Sequence, residues 1–184
     1  MEIYVVLNLI VICLETTGLY ISVSARKQEV FAYYTQLANM VTLVSSVLVT
    51  LFGFTALTVL LRYLSTCMLV MTFLITLFVL VPMGGGFRKL MLSGNCLYHH
   101  TLCPIISVYS YVLFEQHCGY WWLPAVLTLA YGLIMLYMNR IEKYDGPYPF
   151  FRVNHQSKTA TVLWVIVLLI IISAISVGVA SIAV

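Results

Sequence analysis

Apolar residues run along this chain in six long stretches, each closed by a short polar or glycine-containing break. The first covers residues 3–23 and ends in the basic, polar run from Ser24 to Glu29. The second covers 31–52 and breaks at Gly53. The third covers 57–82 and is followed by Gly84, Gly85 and Gly86, then Arg88 and Lys89. The fourth covers 97–114, with a tight polar turn from Glu115 to Gly119. The fifth covers 120–139. The longest break, Arg140 to Lys158, carries the run Gly146, Pro147, Tyr148, Pro149, Phe150, Phe151, and the sixth stretch covers 159–183. Each is close to the ~20 residues a helix needs to cross a bilayer. The pattern predicts an all-α membrane protein: one domain over 1–184, a six-helix transmembrane bundle, without internal repeats or a separate soluble domain.

Composition fixes the solvent. Of 184 residues, 62% are hydrophobic and 8% charged, where a soluble domain carries about 25% charged. No water-soluble fold hides that much apolar surface. The net charge of +3 comes from nine Lys and Arg in short loops, which reads as a topology signal and not as a nucleic-acid footprint. The loops after stretches one, three and five hold Arg26, Lys27, Arg88, Lys89, Arg140, Lys143, Arg152 and Lys158, while the other side holds Arg62 alone. Basic loops stay in the cytoplasm, so both termini are expected on the outer side, with Trp121 and Trp122 at the outer interface. Arg62, near the outer end of stretch three, is expected to snorkel towards water. Glu2 and the lack of a basic start argue against a cleaved signal peptide over 1–23. The five cysteines fall at irregular spacing and form neither a disulfide framework nor a zinc pattern.

Chemistry concentrates where stretch four begins, in the run from Cys96 to Pro104 that contains His99 and His100. An ionisable side chain at a membrane boundary marks a functional site by default. Stretches two, four and six all begin on the cytoplasmic side, which brings Thr35, the histidine pair and Tyr148 to one depth. Stretch two carries Thr35, Asn39, Thr42 and Ser46, and stretch four carries His99, Cys103, Ser107 and Ser110. Spacings of three and four put each set on one helical stripe, and polar stripes in lipid turn inward. If the two stripes face each other, Thr35 and His99 meet. A neutral histidine can take the proton of a threonine hydroxyl and later return it to a leaving group, which gives the parts for acyl transfer. The structural alternative is that small polar residues only glue the helices together.

Other residues widen the set. Glu15 is the only acid well inside an apolar stretch. It can pair with or orient a histidine, or stay neutral through a hydrogen bond to Thr16, Thr17 or a tyrosine. His100 lies about 100° around the helix from His99, and spacing alone does not choose between them. Cys103 is a nucleophile candidate or a small buried hydrophobe. Gln36, Asn39 or a tyrosine hydroxyl can supply oxyanion donors. His117 and His155 sit in turns and are expected in solvent. Only His99, His100, Cys103 and Glu15 have metal-ligand chemistry near one depth, too thin a set for zinc, so neither a metal nor a cofactor is expected. The triple glycine lacks the ending of a phosphate loop, and no Gly-x-Ser-x-Gly or His-Glu-x-x-His occurs.

Three features in order resemble a known family: the aromatic-x-Thr start of stretch two (Tyr33, Thr35), His99 five residues before Pro104, and Tyr148-Pro149-Phe150 ahead of the last stretch. The chain is similar in these to the androgen-induced-protein family of six-pass membrane hydrolases, and to small bacterial membrane proteins of the same superfamily, over roughly residues 31–170. The resemblance implies a threonine nucleophile at Thr35 and a base at His99, and so chooses His99 over His100. It implies cleavage of fatty acyl esters, with a membrane lipid or acyl ester as partner and the cell membrane as location if the source is bacterial. The loops here are shorter and Tyr34 and Gln36 flank the threonine, which leaves the substrate open. A related branch is thought to transfer acyl chains with a cysteine, which keeps Cys103 in play. A non-catalytic lipid-binding or small-solute transport protein is the competing class. It lacks support from paired, interrupted helices and would show a continuous polar path from Glu15 to the outer surface.

Overall fold

The computed structural model describes residues 2–182; residue 183, where the sixth stretch is expected to end, lies outside them. Eight α-helices occur, and no strand is present among the described residues. They are α1 (Ile3–Arg26), α2 (Tyr34–Phe52), α3 (Ala56–Ile75), α4 (Phe87–Met91), α5 (Asn95–Leu97), α6 (Cys103–Phe114), α7 (Leu123–Arg140) and α8 (Lys158–Ser181). Five helical runs are long and apolar enough to cross a membrane: Ile3–Ala32, Tyr34–Phe52, Ala56–Gly85, Leu123–Arg140 and Lys158–Ser181. This is consistent with a multi-pass membrane protein.

Local chemistry sets the helix ends. α1 runs on through Arg26 and a 3-10 turn covers Lys27–Ala32, so α2 starts at Tyr34 and not at 31. Gly53, at φ +68°, closes α2. Thr55 and Thr58 then form a reciprocal cap at the start of α3: the Thr58 N–H donates to Thr55 Oγ1 at 3.2 Å, and the Thr55 N–H to Thr58 Oγ1 at 2.7 Å. Both pairs satisfy amide hydrogens that a helix start leaves free. Ser157 Oγ does the same for α8, accepting from the Ala160 N–H.

The fourth stretch is helical from 95 to 114 but is divided. Tyr98–Leu102 is a π-helical turn between α5 and α6. Pro104 supplies a physical reason. It has no N–H to give the carbonyl of His100, and its ring crowds that carbonyl. Widening the preceding turn removes the conflict, and the Cys103 N–H bonds instead to the Tyr98 carbonyl. The same occurs at the end of stretch three. There the chain is π-type over Thr76–Gly85 around Pro82, broken by a kink at Gly84, φ +102°, just past the expected end at 82.

α3 is the centre of the bundle, packed on α2, α6, α7 and α8, while α1 packs on α2 and α6. Two expectations fail here. Arg62 does not snorkel: it is fully buried in α3. Glu115, read as part of a polar turn, is also fully buried. Arg62 Nε donates to Glu115 Oε1 at 2.9 Å, with Nη2 2.8 Å from the same oxygen. Arg62 Nη1 donates to Ser46 Oγ at 3.2 Å, and Ser110 Oγ donates to Glu115 Oε1 at 3.3 Å. A cation and an anion taken out of water together hold α2, α3 and α6 at one level. Breaking such a pair from one side leaves a bare buried charge and costs about 3–5 kcal/mol. Arg62→Leu is therefore expected to lower the melting temperature of the detergent-solubilised protein sharply. The double variant Arg62→Leu, Glu115→Leu is expected to recover most of the loss.

Candidate functional site

The polar groups divide into two neighbouring sets at the start of α2. The first lies between α1, α2 and the π turn. Gln36 Nε2 is 3.2 Å from His99 Nδ1. In this arrangement the amide donates and Nδ1 accepts, which leaves the ring hydrogen on Nε2. That nitrogen is 3.5 Å from Glu15 Oε2. All three side chains are buried, and Glu15 lies beside the imidazole without a hydrogen bond to it. The ring rests on Gly18, one turn beyond Glu15, where a Cβ would overlap it. Cys103 is fully buried, near Glu15. Asn39, one turn further into α2, is fully buried with neither amide atom paired.

The second set joins Thr35 to Tyr148. Thr35 Oγ1 is 3.2 Å from the Tyr148 hydroxyl, and the Thr35 N–H donates to the same phenolic oxygen at 3.3 Å. Thr35 and Tyr148 line a mostly apolar pocket of about 60 Å³, partly open to the surroundings, between α2, α3, α7, α8 and the loop 149–151. Its walls include Met71, Ile75, Leu80, Leu133, Leu168 and Leu169. Thr72 also lines it, buried, with its hydroxyl unpaired. The lining, mostly apolar with a few hydroxyls, has the character of a site for an apolar ligand with a few polar contacts.

The loop that carries Tyr148 is tied down by Asn139, which sequence reasoning used only to end a helix. The Asn139 side-chain amide bonds to the Met135 and Gly146 carbonyls, and its Oδ1 accepts the Gly146 N–H at 2.9 Å. Phe150 stacks on Tyr148 at 5.2 Å and 11°, and packs against Trp164 of α8.

Thr35 and His99 therefore come close along the chain of contacts but do not bond. The partner of His99 on α2 is Gln36, and the partner of Thr35 is Tyr148. One helical position, about 100°, separates the two. The other stripe residues are all buried: Asn39, Thr42 and Ser46 on α2, and Cys103, Ser107 and Ser110 on α6. They meet α3 more than each other. Ser107 Oγ pairs with Thr66 Oγ1 at 2.9 Å and Ser46 with Arg62, while Ser45, outside the expected stripe, pairs with Ser65. His100 serves as a clip, its Nδ1 donating to the Leu90 carbonyl at 2.7 Å. His155 is exposed; His117 is exposed too, yet its Nδ1 bonds to the Ala180 carbonyl. Among the described residues no group of three or more His, Cys, Asp or Glu is placed to hold a metal.

The seat of the imidazole on Gly18 gives a direct test. Gly18→Ala must push the ring away from Glu15 and Gln36, at a cost of about 1–3 kcal/mol for overpacking. The expected outcome is a lower melting temperature together with a shift of the His99 ring resonances in ¹⁵N-histidine spectra. Unchanged resonances contradict the packing described. No protein-family model, no curated protein and no solved structure matches this chain.

Proposed function

We propose that this protein is an intramembrane lipid-ester hydrolase, with Thr35 as nucleophile and His99 as base. The observation that carries the reading is the buried Thr35 hydroxyl on the wall of a mostly apolar pocket. The aliphatic and aromatic walls suit part of an acyl chain, and the unpaired Thr72 hydroxyl in the same lining offers a donor to a ligand oxygen. The buried His99, with Glu15 beside it, supplies a base, as acyl-transfer chemistry needs. The motif resemblance to the androgen-induced-protein family points the same way.

The reaction runs in two halves. Thr35 Oγ1 attacks the ester carbonyl while its proton passes to His99 Nδ1, and the leaving alcohol then takes that proton. Water repeats the sequence on the acyl-threonine and releases the acid. Gln36 holds Nδ1 in the resting arrangement, so its amide must swing aside as substrate enters. Hydrogen bonds at such sites are often incomplete before substrate binds.

The same reading includes a sixth span. Residues 95–114, taken as one helical run of about 30 Å, reach across the hydrocarbon core and put both termini outside. Reporter fusions at either terminus are expected to score as external.

One observation favours the transport alternative. Buried polar groups run from Glu15, His99 and Gln36 through Asn39, Thr42, Ser45 and Thr66 to Arg62 and Glu115. The run ends at a fully buried ion pair and not at the outer surface. Proton or cation flux in proteoliposomes, lost in Glu15→Gln, is the result that would favour it.

The hydrolase reading is tested by fluorophosphonate labelling of the purified protein. Thr35→Ala is expected to abolish labelling, and His99→Ala to slow it by about 10²–10⁴-fold. Gln36→Ala, which frees Nδ1, is expected to label at least as fast as wild type. Labelling that survives Thr35→Ala removes the mechanism.

A further inference from the structure

We infer that Tyr148 is a positioning residue for the Thr35 nucleophile: its single hydroxyl caps the first turn of α2 and fixes which way the Thr35 hydrogen points. The inference rests on the hydrolase reading and adds a residue to it.

The geometry starts from a free amide. Thr35 is the second residue of α2, and Tyr33, which precedes the helix, makes no side-chain cap. The Thr35 N–H has no carbonyl within the helix to receive it. The Tyr148 oxygen accepts it at 3.3 Å. That bond uses a lone pair of the phenol and leaves its one hydrogen for Thr35 Oγ1, 3.2 Å away. The 3.2 Å contact admits a donor on either side; with Tyr148 as the donor, Thr35 Oγ1 accepts and its own hydrogen remains free for a base.

The surroundings keep the phenol in the donor state. Burial pushes the Tyr148 hydroxyl above its ordinary value. The ring is clamped by Phe150, Phe151 and the edge of Tyr33. Neighbouring titratable groups on the packed elements are the phenols of Tyr33, Tyr34 and Tyr131, with no carboxylate or ammonium bonded to it. When Thr35 Oγ1 bonds to the carbonyl carbon, the carbonyl electron pair moves to its oxygen. The Thr35 proton leaves to His99, and the Tyr148 hydrogen stays on the phenol throughout. Tyr148 therefore exchanges no proton in the step.

The test compares Tyr148→Phe, which deletes one oxygen and keeps the stack, with Phe150→Leu, which disturbs the stack and keeps the oxygen. Both are made in the full chain and followed by fluorophosphonate labelling kinetics and thermal melting. Tyr148→Phe is expected to slow the maximal labelling rate about tenfold or more, the worth of one lost hydrogen bond. The probe concentration for half-saturation is expected to be unchanged. Phe150→Leu is expected to keep the maximal rate within about threefold, a loss well under that of one such bond. A wild-type rate in Tyr148→Phe overturns the inference while leaving the Thr35 reading in place. Equal slowing in both variants, or failure of Tyr148→Phe to fold, overturns it too, since the hydroxyl would then act through loop packing. If Thr35→Ala still labels, the hydrolase reading itself falls.

Discussion

Hydrocarbon offers no partner to a polar group, so each polar side chain in a membrane bundle must find one inside the protein or a cavity. That constraint arranges this molecule. α3 gives up most of its surface to other helices and carries Arg62, Ser65, Thr66 and Thr72, all buried. The polar stripes of α2 and α6 turn towards it. Arg62 and Glu115 fix the level at which these three helices meet. With that end set, the start of α2 is held against α1, α6 and the Tyr148 loop, where the chemistry collects.

The two polar sets at the α2 start have different chemical characters. His99, Gln36 and Glu15 form a buried, packed polar group. Thr35, Tyr148 and Thr72 face a pocket whose other walls are aliphatic and aromatic. A hydroxyl on an apolar pocket suits an acyl group; an oriented imidazole one residue away suits proton transfer. Gln36 joins the two sets, because it is adjacent to Thr35 in sequence and bonded to His99 in space.

Much of the architecture was legible in the apolar stretches, since length and hydropathy alone mark five spanning helices. The burial of the α2 stripe was legible as well, because an unbroken α-helix keeps its phase from Thr35 to Ser46. The fourth stretch was not, and Pro104 is the reason. The π turn it provokes over Tyr98–Leu102 changes the residues per turn, so the direction of His99 cannot be extrapolated from Cys103, Ser107 and Ser110. Arg62 was misread because its partner Glu115 lies 53 residues away in what looks like a turn. Tyr148 meets Thr35 across 113 residues, through a loop whose course depends on Asn139. Neither contact has a local signal. The nearest hint for the second was the Tyr148-Pro149-Phe150 run itself, conspicuous in an otherwise charged loop.

The central claim is that Thr35 is the reactive hydroxyl of the pocket. It is tested most directly by mapping the fluorophosphonate adduct on the folded protein by peptide mass spectrometry. The account predicts a single adduct on Thr35. An adduct on Cys103, on another hydroxyl, or none at all on protein shown to be folded, contradicts it.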